Sequence, residues 1–147
     1  MKVSLSDWLA KGWLREHRTS PQEIADLLRV ADRDLKDCQA SGLSPDWRLN
    51  IAYNAALQSA TAALAASGFR ASREAHHYRV IQSLAHTIGA GPDMIIQFDQ
   101  FRKKRNIGEY ERAGAVSEQE AKEMMALARA LRRDVERWLR AEHPEQV

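Results

Sequence analysis

The sequence predicts an all-α fold, an up-and-down antiparallel bundle of about five helices preceded by a short N-terminal helix. Three observations carry this expectation. Apolar residues recur at helical spacing in successive segments, each bounded by capping or breaking residues. No stretch alternates with period two in β-branched residues, so no sheet is predicted. Only 7 Gly and 4 Pro occur in 147 residues, which leaves little chain for loops and makes connections short enough for antiparallel neighbours.

The elements follow in order. Ser4 or Ser6 caps a first helix whose apolar residues Trp8, Leu9, Trp13 and Leu14 share a face if the helix runs on past Gly12. Ser20, Pro21 and Glu23 form a second start signal, with a cap, a proline at the first helical position and a carboxylate reaching back. Ile24, Leu27, Leu28, Ala31 and Leu35 then keep helical spacing until Ser41 and Gly42. Ser44 and Pro45 open a third helix that runs to Gly68. Its many alanines let neighbours approach closely on more than one side, which marks it as central. Ser72 caps a fourth helix through Tyr78, Ile81, Leu84 and Ile88, ending at Gly89. Gly91, Pro92 and Asp93 turn the chain into a fifth through Met94, Ile95, Phe98 and Phe101, interrupted or ended at Gly108. Ser117 to Glu120 is a capping box that opens the last helix, through Met124, Leu127, Leu131, Val135 and Leu139. Residues beyond Glu142 are expected to fray.

Hydrophobic residues make up 44% and charged residues 29%, enough apolar material for one domain over residues 1–147. Residues 1–19 read as a helical extension and 20–141 as the bundle. The single Cys38 excludes an intrachain disulfide and reads as a small packed hydrophobe. No apolar run reaches the roughly 18 residues of a membrane helix, and residues 1–7 hold no signal core. A cytoplasmic protein without a membrane partner is the expectation. The four Trp residues sit on apolar stripes and read as core or interface anchors.

A net charge of +2 does not point to nucleic acid, so any such argument must come from local clusters. The densest is Arg102, Lys103, Lys104 and Arg105. Arg102 and Arg105 share a helix face near Phe98 and Phe101, and two guanidiniums there can clamp a phosphate. The plain alternative is a solvated helix end whose cations complement the carbonyl dipole. His76 and His77 follow Arg70 and Arg73. Adjacent side chains on a helix diverge by about 100°, so the two histidines make a poor metal pair, and no other cluster has zinc spacing. No metal and no cofactor is expected. A histidine remains a candidate general base.

The stretch from Phe101 to Tyr110, placed before a long Ala- and Glu-rich last helix, resembles the signature region of HEPN domains. The upstream stretches around Ile51 to Asn54 and Gly68 to Arg79 are similar to a bacterial branch of that superfamily, and the resemblance spans roughly residues 21–141. It implies a four- or five-helix bundle, commonly a homodimer. Catalytic members are metal-independent ribonucleases in which an Arg is followed after four to six residues by a His. Others lack the motif and bind RNA or nucleotide. Many act in toxin–antitoxin or defence systems, often beside a nucleotidyltransferase. Arg105 matches the motif arginine and Asn106 the polar residue after it. Tyr110 stands where the histidine is expected, and a phenol with a pKa near 10 is a poor base at neutral pH. The bare spacing also occurs at Arg70 with His76 or His77, so the place before the last helix is what singles out Arg105.

Three readings follow. The first is a non-catalytic HEPN-like homodimer that holds RNA or nucleotide phosphate through Arg102, Arg105, Asn106, Tyr110, Arg70 and Arg73. The second is a metal-independent ribonuclease toxin with a displaced base, for which Arg105, Tyr110 and His77 are the catalytic candidates. The third is a protein-interaction scaffold in which Arg105 pairs with Glu109 or Asp99. An antitoxin or a nucleotidyltransferase-type protein is the expected partner class.

Overall fold

The computed structural model describes residues 4–110 and 116–147, with side chains described as far as Arg105 and again from Val116. The elements run α1 (Leu5–Ala10), β1 (Leu14–Glu16), α2 (Pro21–Asp37), α3 (Pro45–Ala66), β2 (Phe69–Ala71), α4 (His76–Ser83), α5 (Pro92–Tyr110) and α6 (Glu118–Glu142), with a 3-10 turn at Pro144–Gln146. The fold is an all-α bundle carrying one small ribbon.

Serine caps set four of the helix starts. Ser4 and Ser117 each accept from the third residue of their helix, and Asp7 and Glu120 return the bond. Ser20 and Ser44 cap α2 and α3 ahead of Pro21 and Pro45. Glu23 does not reach back to Ser20. Its Oε1 accepts instead from the Thr19 hydroxyl and lies against His17 Nε2, each at 2.7 Å.

Helix α3 forms the centre. Ala52, Ala55, Ala56, Ala60, Ala62 and Ala63 are all fully buried and form one broad face of the helix, while Asn50, Asn54, Gln58 and Thr61 on the other side are half-buried. With only methyl groups between backbones, α2 and α6 lie close along α3, while α4, α5 and β2 cover the rest of it. Larger side chains fill the outer layer: Ile24 and Leu28 from α2, Ile81 from α4, Phe98 from α5, and Met124, Leu131 and Leu139 from α6. Two polar links fix the helix pairs. The buried Asp34 carboxylate accepts from Asn54 Nδ2 at 2.6 Å, joining α2 to α3. Arg132 grips Asp32 with two hydrogen bonds of 2.8 and 3.1 Å, joining α6 to α2.

The expectation of no sheet is overturned at one place. Helix α1 ends at Ala10, Gly12 turns the chain at φ +78°, and Leu14–Glu16 pairs antiparallel with Phe69–Ala71. Three residues are too few for alternation to show in sequence, so the strands carried no signal of their own. The first helix therefore does not extend to Trp13 and Leu14. Ser72 does not cap α4 either. Its N–H and hydroxyl donate to the Trp13 and Gly12 carbonyls, closing the ribbon. The chain enters α4 through Ala75 in the left-handed region at φ +52°, with no side-chain cap. Helix α4 ends at Ser83, before the expected Gly89. Helix α5 passes through Gly108 to Tyr110. The C-terminal residues form an ordered turn in place of a frayed end, with His143 edge-on to Trp138 at 4.8 Å.

Trp8 is buried, edge-on to Trp13 and His86. Trp47 is 64% exposed and is not a core residue. Cys38 is buried and donates to the Leu35 carbonyl, and burial pushes its thiol up, which suits a packed rather than a reactive cysteine. Among the described residues, no helix is long and apolar enough to cross a membrane.

Candidate functional site

Three helices converge on Tyr53. It lies on α3, and its ring is buried against the edge of Phe98 from α5, with centroids 5.6 Å apart. Its hydroxyl meets Nδ1 of His77, on the first turn of α4, at 3.2 Å. The guanidinium of Arg105, from α5, lies 5.0 Å from the centre of the Tyr53 ring. Arg105 and His77, 28 residues apart in sequence, thus meet through one phenol.

The electrostatics follow from burial and from two arginines. Burial pushes the Tyr53 phenol up to about 12, and the nearby Arg105 and Arg102 charges only partly offset it. The phenol therefore keeps its proton at neutral pH. His77 is half-buried. Burial first, then the positive charges of Arg105, His76 and Arg102, hold its imidazole below the ordinary histidine value. At pH 7 it is neutral. The Tyr53 bond fits either tautomer of a neutral ring. If Tyr53 donates to Nδ1, then Nε2–H is a donor for an anion. If Nδ1–H donates to Tyr53, then Nε2 offers a lone pair that can take a proton.

The basic run of α5 divides. Arg102 donates through Nε to Asp99 at 2.7 Å and lies over the Tyr78 ring at 5.6 Å. Lys103 reaches the same carboxylate at 3.7 Å, and Lys104 lies 3.5 Å from Glu120 of α6. These three cations have carboxylates. Arg105 faces Tyr53, and its Nε has no hydrogen-bond partner among the described residues. Asp99 is occupied by Arg102 and Lys103, so it is not the Arg105 partner that the scaffold reading expects. The Asn106, Glu109 and Tyr110 side chains lie outside the described residues.

The other two predicted ligand arginines stand elsewhere. Arg70 and Arg73 line a cleft of about 450 Å³ with Arg15, Ser72 and His76, which Arg102 and Arg105 do not line. His76 relates the two places, because its ring centre lies 6.0 Å from that of His77. Sequence reasoning missed Arg15, because it faces the cleft only through the unpredicted ribbon. It missed Tyr53 because a tyrosine at helical spacing reads as core, which it also is. Among the described residues, no group of three or more His, Cys, Asp or Glu side chains is arranged to hold a metal ion. The sequence matches no protein-family model and no curated protein.

Proposed function

We propose that the chain is an HEPN-like helical module that binds the phosphates of RNA or a nucleotide without cleaving them, acting as a homodimer. The observation that carries this reading is the meeting of Arg105 with a neutral His77 around Tyr53. A guanidinium and an N–H donor on a partly apolar floor form a charge-assisted site for a phosphate oxygen. The floor is rigid, since Tyr53 is locked between Phe98 and His77, so little side-chain freedom is lost on binding. Arg102, held by Asp99 through Nε on the same helix, is the second arginine of this reading. A partner antitoxin or nucleotidyltransferase in a toxin–antitoxin or defence setting belongs to the same proposal.

A second reading has its own support. A metal-independent ribonuclease needs a base for the 2′-hydroxyl and an acid for the leaving oxygen. His77 is neutral at pH 7, as a base must be, and the exposed His76 stands 6.0 Å away as a second proton carrier. Tyr53 cannot be the base, because its phenol ionises only near pH 12.

The test is a gel assay of purified protein with single-stranded RNA in EDTA, wild type beside Arg105→Ala and His77→Gln. RNA retained intact, released in Arg105→Ala and weakened by added salt, is the expected result. Cleavage by the wild type that disappears in His77→Gln would replace the binding reading with the ribonuclease. Neither retention nor cleavage would remove both.

A further inference from the structure

The ribbon carries a charge arrangement that stability alone does not explain. Arg15 and Arg70 are direct cross-strand partners on β1 and β2. Directly opposed residues hold their Cβ atoms about 5 Å apart on the same face, and like charges in that position destabilise a strand pair. Leu14 and Ala71 occupy the opposite, buried face, so the two guanidiniums stand together on the outer one. Arg73 joins them across the cleft. None of the three has a carboxylate within 4.0 Å among the described residues, as is also true of Arg18, Arg48, Arg79, Arg129 and Arg137. Of the nearby carboxylates, Glu23 is bonded to Thr19 and His17, and Glu74 lines the adjoining cleft together with Arg15, Arg73 and Arg79.

Beside the cleft lies a mainly apolar cavity of about 250 Å³ that shares Arg70, Ala71 and His76 with it. Leu27, Leu64, Phe69 and Val80 form much of its wall, and His17 and Glu23 line it as well. A cavity of this kind next to a cationic rim selects a ligand with two unlike ends.

The geometry points to a second ligand site on the ribbon, which takes a phosphomonoester carrying a compact apolar or aromatic group. The phosphate sits among Arg15, Arg70 and Arg73, and the apolar group enters the cavity between α2, α3 and α4. The site stands apart from the Arg105 cluster and does not depend on the RNA-binding reading.

Calorimetric titration with phenyl phosphate, inorganic phosphate and phenol tests it, on the full chain in a buffer free of phosphate. Phenyl phosphate binds, inorganic phosphate binds at least tenfold more weakly, and phenol gives no heat. Arg15→Ala and Arg70→Ala each weaken phenyl phosphate at least tenfold, whereas Arg105→Ala does not. Both replaced side chains are exposed, and relief of the opposed charges raises the thermal midpoint of the free single variants by about 1–3 °C. This midpoint shows that the variants fold. Binding that survives both ribbon variants, or is lost in Arg105→Ala instead, overturns the site. Equal affinity for phosphate and phenyl phosphate overturns its apolar half.

Discussion

Tyr53 is a single residue with two duties, and they can be separated by pH. Its unfolded phenol ionises near 10, and its folded phenol near 12. A raised folded value means that the stability it contributes is complete below pH 10 and is lost as pH rises toward 12, by about 2–3 kcal/mol. Tyr53→Phe removes this dependence and costs about 1 kcal/mol at pH 7 through the lost hydrogen bond to His77. Urea unfolding of both proteins from pH 8 to 12 checks the pair of effects. His77 has the opposite sign. Its folded value lies below the unfolded value near 6.5. Its contribution is therefore complete above pH 6.5 and falls away as pH drops through the folded value. A proton titration of the His77 ring by NMR shows a midpoint below 6.5, and it moves up toward the ordinary value in Arg105→Ala, which lifts one of the opposing charges. A midpoint that ignores Arg105 would mean that the two side chains do not share a site.

At the scale of elements, the connection from α3 into β2 decides where the functional residues stand. Gly68 takes φ +94° and opens the ribbon, and a Cβ there would meet nothing within 4 Å. Gly68→Ala therefore costs only backbone strain, about 1–2 kcal/mol, which thermal unfolding reads as a lowered midpoint. It also loosens the pairing that opposes Arg15 to Arg70. The ribbon explains why the sequence was legible for helices and not here. Ser20 with Pro21, Ser44 with Pro45 and the Ser117 box are local chemistry, and each starts its helix at the expected residue. Ser72 offers the same local chemistry, yet its hydroxyl and N–H serve the Gly12 and Trp13 carbonyls, about sixty residues away in sequence. A cap competes with tertiary partners, and no local pattern records that contest. The same reason left Glu23 misassigned, since Thr19 and His17 took its carboxylate.

At the scale of the molecule, the alanine-rich α3 was readable as the central helix because its many small residues let neighbours approach on more than one side, and thirteen of its residues are buried. The candidate site was half readable. Arg105 was singled out by its place before the last helix, and His77 only as one candidate base. Their meeting depends on α4 and α5 both packing on Tyr53, which no spacing encodes. Arg70 and Arg73 shared a predicted surface with Arg105, and the fold sends them to the ribbon cleft. The bundle thus holds two separate cationic places, joined by the His76 and His77 rings at the start of α4. The most direct test of the account is a salt titration of single-stranded RNA binding, followed by fluorescence anisotropy, with wild type beside Arg105→Ala. The affinity of the wild type falls linearly with salt on logarithmic axes, and the variant binds more weakly with a slope smaller by about 0.7, one phosphate contact fewer. Identical affinity and slope in the two proteins would contradict the central claim that Arg105 holds a phosphate.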